Sequence, residues 1–179
     1  ILLEAEAARG HTVLLVALDQ ELAGALVVAD TLRDSAAEAV AAVNKMGLRT
    51  VLLSGDTEAA ARQVASQLGI DEVIAGVMPS QKAETIQAIQ AQPGPRRGRR
   101  RVAMVGDGIN DASALATADL GLALVSGTDI AMKSADIILV RQHLSVIPDA
   151  LLLARRTLRT IRGNLLWAFG YNVAAIPLA

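Results

Sequence analysis

The sequence predicts a doubly wound, mostly parallel α/β fold, and three observations carry that prediction. Between Arg49 and Val140, short apolar runs alternate with segments of helical period, and no long gap interrupts them. The apolar runs are continuous, as expected of strands buried on both faces and paired in parallel. Two acidic glycine turns, SGD (Ser54–Asp56) and GDGIND (Gly106–Asp111), fall at the carboxyl ends of such runs. Open α/β sheets bind their ligands there, so the two turns are expected to converge on one site.

The elements follow in order. HTVLLVAL (His11–Leu18) and LAGALVVA (Leu22–Ala29) read as strands joined by the polar turn DQE, either a hairpin or adjacent strands. After Asp30 the period becomes helical, with Ala36, Ala39, Val40, Val43 and Met46 on one face and Gly47 closing the helix. RTVLLSGD is a short strand, TEAAARQVASQLG a helix ended by Gly69, and EVIAG a further strand. SQKAETIQAIQA is a helix with Ser80 as its expected N-cap. VAMVGD, NDASALATA, LGLAL, TDIAMKSA and DIILV then alternate strand, helix, strand, helix, strand. Between helix and strand lies PGPRRGRRR (Pro93–Arg101), whose five arginines could touch anionic lipid or nucleic acid; with no aromatic or helical pattern beside them, a solvated, flexible insertion without assigned function is expected.

Composition narrows the chemistry. The 179 residues suffice for one α/β core with little room for a second full domain. A net charge of −1 points to no polyanionic partner, so no nucleic acid is expected. The absence of cysteine removes disulfides and thiolate chemistry, and the two histidines, His11 and His143, have no metal-ligand spacing. The three aromatic residues, Trp167, Phe169 and Tyr171, cluster near the end, which marks the tail as a different kind of segment.

That tail begins at Ser145. Arg155, Arg156, Arg159 and Arg162 precede an uncharged run of 17 residues, Gly163–Ala179. Arginines ahead of an apolar run, with aromatics at its mouth, describe a helix entering a membrane from the cytoplasmic side. A buried C-terminal helix is the alternative. The chain starts at Ile1 inside a helical pattern and ends inside the apolar run, so both ends are expected to be cut from something longer.

The chemistry concentrates in GDGIND. Glycines let the backbone approach a phosphate closely, Asp107 and Asp111 offer hard oxygen ligands suited to Mg²⁺, and the Asn110 amide suits a phosphate or water. An ordinary Asp-Gly turn with a capping Asn is the competing reading. In SGD a hydroxyl (Ser54), a bare amide (Gly55) and an acid (Asp56) stand near a helix N-terminus, a seat for phosphate as well as a plain turn. Lys82, in PSQK, opposes the dipole of the helix it begins, and makes sense as the cation that neutralises a phosphoryl group.

Together these motifs resemble the phosphorylation domain of P-type ATPases, in the haloacid-dehalogenase superfamily. DTLR (Asp30–Arg33) looks like the hinge from the nucleotide-binding domain. LLSGD looks like the Thr-Gly-Asp motif with Ser54 for threonine, PSQK carries the family lysine, and VGDGIND is similar to the magnesium motif. GTDIAMKSADIIL (Gly127–Leu139) matches the segment that follows, although the preceding LVS departs from the usual Gly-rich lead-in. Tyr171 and Asn172 in GYNVAAIPLA resemble the Tyr-Asn pair of copper(I) pumps.

The resemblance implies a Rossmann-like haloacid-dehalogenase fold. Residues 1–29 would be the last strands of a nucleotide-binding domain, 30–144 the phosphorylation domain, and 145–179 a basic juxtamembrane helix with the start of a transmembrane helix. It implies a multi-pass protein of the plasma membrane, with residues 1–162 cytoplasmic. ATP and Mg²⁺ are the implied substrate and cofactor. Asp56, Lys82, Asp107 and Asp111 take the catalytic positions, with Ser54, Gly55 and Asn110 binding beside them. The implied cargo is a heavy-metal cation, Cu⁺ at Tyr171 and Asn172. The attacking aspartate of the family's DKTGT motif is absent from this sequence. It belongs with the missing remainder of the same pump, and this piece alone is expected to be inactive. A soluble phosphatase of the superfamily and a non-catalytic Mg²⁺- or phosphate-binding module are the competing readings.

Overall fold

The computed structural model describes residues 6, 12–28, 31–94, 98–106, 109–124, 129–140 and 143–175. The expected Mg²⁺ ligand Asp107 lies outside the described residues, as do Asp30 of the hinge motif and residues 125–128.

Strands β1 (Thr12–Leu18) and β2 (Glu21–Val28) form an antiparallel hairpin. The turn is shorter than the expected DQE: Asp19 (φ 49°) and Gln20 (φ 70°) both adopt left-handed backbone, and Glu21 already pairs with Leu18. Two left-handed residues give a tight turn whose twist matches that of the flanking strands. Every β2 residue is exposed, and Leu14, Leu15, Leu22 and Leu26 face solvent from both strands. A two-stranded ribbon is marginal by itself, so this one calls for cover from another element.

Helix α1 (Ala36–Lys45) buries Ala36 and Ala39, and the chain turns after it at Gly47, φ 74°. Strand β3 (Val51–Leu53) leads into helix α2 (Glu58–Leu68), where the Thr57 hydroxyl accepts a hydrogen bond from the Ala60 N–H. Ala61 and Ala65, one turn apart, form its buried stripe. Strand β4 (Glu72–Ile74) pairs in parallel with β3. A 3₁₀ turn (Pro79–Gln81) then precedes helix α3 (Lys82–Ala91), so Ser80 is not the N-cap. The Gln81 side chain instead accepts from the Met78 N–H at 3.2 Å, because the extra 3₁₀ turn moves the helix start to Lys82.

Strand β5 (Ala103–Gly106), a second 3₁₀ turn (Ile109–Asp111), helix α4 (Ala112–Thr117), strand β6 (Leu120–Leu124), helix α5 (Asp129–Ser134) and strand β7 (Ile137–Leu139) complete the alternation. Strands β5, β6 and β7 pair in parallel in that order. Ile86, Met104, Ala114, Leu115 and Ala123 form the core, with Leu53 packed against it. Gly121 permits this packing: a Cβ there would lie 2.7 Å from the Leu115 carbonyl oxygen.

The α/β architecture is as expected, but the sheet is divided. Among the described residues β3–β4 and β5–β6–β7 share no strand pairing, and Leu53 reaches the Met104 cluster only through side-chain packing.

Helix α6 runs unbroken from Val146 to Ala175. The Leu144 N–H donates to the Ser35 hydroxyl, and the Arg155 guanidinium donates to the Met46 carbonyl; both pairs are 109 residues apart. Equal spacing means that α1 and α6 lie parallel and side by side over that stretch. Beyond Arg155 the helix continues with Leu165, Leu166, Trp167, Phe169 and Tyr171 exposed. The basic segment and the expected start of a membrane helix are therefore one element. No helix among the described residues is long and apolar enough to cross a membrane.

The arginine-rich segment differs from expectation in its described part. Pro93 and Arg99 form an antiparallel bridge, the Gly94 N–H donates to the Gly98 carbonyl, and the Arg100 N–H donates to the Gln92 carbonyl. The reason is Asp119, whose carboxylate accepts from Arg99, Arg101, Gln90 and the Val102 N–H.

Candidate functional site

The segments leaving the carboxyl ends of β3, β4 and β5 carry Ser54–Asp56, Lys82, and Asn110 and Asp111. At the end of β3 the ladder continues past the strand: the Ser54 N–H donates to the Ile74 carbonyl and the Val77 N–H to the Ser54 carbonyl. The Gly76 N–H donates to the Asp56 carbonyl, so the Ser54–Asp56 turn is stitched to the loop leaving β4. Gly55 belongs there because a Cβ would press on the Val77 carbonyl oxygen at 3.3 Å. Within the turn, the Ser54 hydroxyl donates to Asp56 Oδ2 at 2.7 Å and accepts from the Asp56 N–H at 3.1 Å. Gly55 and Asp56 are exposed, open to a ligand.

The loop leaving β4 runs through the Pro79–Gln81 turn into Lys82. Lys82 Nζ lies 2.7 Å from Asp111 Oδ1, a charge-assisted hydrogen bond between side chains that are 13 % and 14 % exposed. Asp111 ends the 3₁₀ turn after β5, and its carboxyl group lies against Gly106, the last residue of that strand. A Cβ on Gly106 would sit 2.8 Å from Asp111 Cβ and 2.9 Å from Oδ2, so this carboxylate position requires glycine. So placed, the ammonium at the start of α3 suits a phosphoryl group and the fixed carboxylate beyond β5 suits a metal cation.

The predicted residues thus fall into two groups. Lys82 and Asp111 touch; Ser54, Gly55 and Asp56 form a second group on the adjoining turn. Among the described residues no hydrogen bond joins Asp56 to Lys82 or Asp111. Asn110 is exposed in the 3₁₀ turn beside Asp111. Tyr171 and Asn172 are elsewhere, on the final turns of α6, and the Asn172 amide donates to the Ala168 carbonyl of its own helix at 2.9 Å.

Among the described residues no group of three metal-ligating side chains gathers. The donor chemistry of Asp111 nonetheless fits Mg²⁺: it is a hard carboxylate fixed at a strand tip, beside a lysine suited to the opposite side of a phosphate.

Two structural roles, one in the site and one at the opposite ends of the strands, have no sequence signal of their own. Besides the close backbone approach expected of the motif's glycines, Gly106 makes room for Asp111. At the amino ends of the strands Asp119, in ADLGLAL, anchors the arginine segment, although an acid before a strand carries no motif of its own. Burial raises its carboxyl pKa, but hydrogen bonds from Val102, Arg101 and Gln90 and the charge of Arg99 outweigh that, lowering it to about 2.

A family model described as haloacid dehalogenase-like hydrolase matches residues 2–119. The chain is 57 % identical over 171 residues to the cation-transporting P-type ATPase B of Mycobacterium leprae (strain TN), covering 96 % of this chain and 22 % of that protein. It is 54 % identical over 170 residues to the copper-exporting P-type ATPase of Mycobacterium tuberculosis (strain ATCC 25618 / H37Rv), covering 95 % and 22 %. The crystal structure of a zinc-transporting PIB-type ATPase superposes with a TM-score of 0.78 at 38 % identity, covering 94 % of this chain and 27 % of the other. The chain therefore spans about a fifth of the length of the curated relatives it matches.

Proposed function

This chain belongs to the haloacid dehalogenase-like hydrolase family, and we propose that it is the phosphorylation-domain part of an ATP-driven heavy-metal P-type ATPase that transports Cu⁺. The observation that carries this reading is the Lys82–Asp111 contact at 2.7 Å, set against Gly106 at the carboxyl end of β5. Similarity to cation-transporting and copper-exporting pumps favours it over a soluble phosphatase or a non-catalytic module.

In this reading an aspartate outside the chain attacks the γ-phosphate of ATP and becomes an aspartyl-phosphate. The divided sheet supports a place for it. Among the described residues strands β3 and β5 pair on one edge each, with β4 and β6, and Leu53 of β3 packs against the core cluster that holds Met104 of β5. A parallel strand inserted between them would join the two sheets and deliver a residue at its carboxyl end between Ser54–Asp56 and Lys82–Asp111.

Lys82 then neutralises the transferring phosphoryl group while its ammonium stays fixed by Asp111. The Ser54 hydroxyl, now spent on Asp56, turns to donate to a phosphoryl oxygen, with the Gly55 amide and the Asn110 side chain beside it. Asp107 and Asp111 would hold Mg²⁺, which when bound supplies charge stabilisation to the phosphoryl oxygens.

The boundaries proposed are residues 1–29 for the nucleotide-binding remnant, 30–144 for the phosphorylation domain and 145–179 for the juxtamembrane and membrane-entering helix. The hairpin's exposed apolar faces support the first boundary, and the single long α6 is compatible with the last. The pump is placed in the plasma membrane with residues 1–162 cytoplasmic, and the remainder of the same pump is the proposed partner. Cu⁺ rests on Tyr171 and Asn172 together with the copper-exporting relative. The test is metal-stimulated ATP hydrolysis by the full-length protein. Stimulation by Cu⁺ that Asn172→Ala removes supports the reading; stimulation by Zn²⁺ with no response to Cu⁺ overturns the choice of metal.

A further inference from the structure

We propose that the pole of the molecule opposite the candidate site, at the amino ends of the strands, is a docking face for anionic phospholipid headgroups, with Arg99, Arg100 and Arg101 as its contact residues. This rests on the membrane-pump reading and names a surface that the pump chemistry does not use.

Topology fixes the pole. Arg99–Arg101 immediately precede β5, and Asp119 immediately precedes β6, so both stand at strand amino ends. The C-terminal end of α1, where Arg155 meets the Met46 carbonyl, lies at that same pole because α1 leads into the start of β3. Helix α6 therefore begins at the site side, passes α1, and leaves the molecule at the same pole as the arginine segment. Its remaining stretch, Arg156 to Ala175, is about 30 Å long.

Charge at this pole is not balanced. Asp119 binds Arg99 and Arg101, which remain 50 % and 77 % exposed, while Arg100 is held by the neutral Gln92 amide oxygen. Two guanidinium groups thus share one carboxylate and the third has no acid partner among the described residues. The other acids here, Asp71, Glu72 and Asp136, are matched in number by Lys45, Arg49 and Lys133. The excess belongs to the arginine segment, and Arg156, Arg159 and Arg162 of α6, beyond the Arg155–Met46 contact at this pole, add positive charge on the way out of the molecule. Asp119 serves as an anchor: it fixes the direction of the segment without neutralising it.

The direction of α6 selects the partner. Beyond the arginines it exposes Leu165, Leu166, Trp167 and Phe169. A soluble polyanion such as a nucleic acid would leave those side chains in water, whereas a bilayer takes the apolar end and presents phosphates to the basic end. Each arginine drawn to an anionic surface is expected to strengthen association roughly five-fold.

The test uses the full-length protein in vesicles of phosphatidylcholine alone and in a three-to-one mixture with phosphatidylserine. Amide hydrogen exchange across residues 93–102 is the readout, and phosphoenzyme formation is measured in the same samples. Slower exchange in the anionic vesicles, reversed by high salt and lost in Arg100→Gln and in Arg99→Gln/Arg100→Gln/Arg101→Gln, supports the proposal. Arg100→Gln leaves the Asp119 anchor intact, so its result does not depend on the triple variant folding. Equal exchange in both vesicle types with normal phosphoenzyme overturns the lipid face and leaves the pump reading standing; failure of that reading shows instead as absent phosphoenzyme. Binding of a single-stranded oligonucleotide that Arg100→Gln abolishes, without a lipid difference, overturns the choice of a membrane.

Discussion

Lys82 Nζ and Asp111 Oδ1 stand 2.7 Å apart, joining the start of α3 to the turn after β5 across 29 residues of chain. The pair is largely shielded from water, so each partner needs the other. Lysine at the first turn of a helix opposes the dipole, and Asp111 is what offsets that cost.

Loss of both partners should therefore cost less than the two single losses added together. Lys82→Met or Asp111→Asn is expected to destabilise the domain by roughly 2 to 4 kcal/mol, with the double variant less affected than the two singles summed. Urea denaturation of the four proteins measures the coupling. Additive losses would mean that the contact contributes nothing of its own.

Gly106→Ala should disturb the site without removing any functional group. The added Cβ would meet Asp111 Cβ at 2.8 Å, forcing the carboxylate away from Lys82. A stability loss of about 1 to 3 kcal/mol is expected from this overpacking. Gly121→Ala is the comparison, since its Cβ would meet the Leu115 backbone oxygen at 2.7 Å, far from the chemistry. Phosphoenzyme formation should fall in Gly106→Ala beyond what its stability loss explains, and in Gly121→Ala only in step with unfolding.

Asp119 gives the fold an acid limit. Its carboxyl pKa is lowered from 3.8 to about 2 in the folded protein, so its contribution to stability is present above about pH 4 and lost as the pH falls toward 2. Discounted for the solvent exposure of Arg99 and Arg101, that contribution is on the order of 1 kcal/mol. Thermal denaturation of wild type and Asp119→Asn from pH 6 down to pH 2 measures it: the gap between them should narrow through this window. A constant gap would contradict the assignment.

The parallel α/β alternation was legible in the sequence because continuous apolar runs and helical periods are local signals. The split between β3 and β5 was not, since nothing in RTVLLSGD or VAMVGD says which strand lies beside which. Ser80 misled for a related reason: a good capping side chain says nothing about an intervening 3₁₀ turn, and Gln81 holds that turn instead. GDGIND and PSQK announced chemistry, but their 2.7 Å meeting is a tertiary fact. The arginine segment read as a solvated insertion because its anchor, Asp119, lies 18 to 20 residues further along the chain.

Ser54→Ala removes both hydrogen bonds that the hydroxyl makes with Asp56, while Ser54→Thr keeps a hydroxyl in place. The alanine variant should lose about 1 kcal/mol of stability. It should also slow phosphoenzyme formation, which threonine restores. Equal rates in wild type and Ser54→Ala would remove this hydroxyl from the phosphoryl site.

The most direct measurement is acid-stable phosphoenzyme formed by the full-length protein from radiolabelled ATP, in wild type, Asp107→Asn and Lys82→Ala. If the carboxyl ends of β3 and β5 hold one metal-bound phosphoryl group, both substitutions should lower the yield or rate about a hundred-fold or more. Wild-type phosphoenzyme in either variant would contradict that claim.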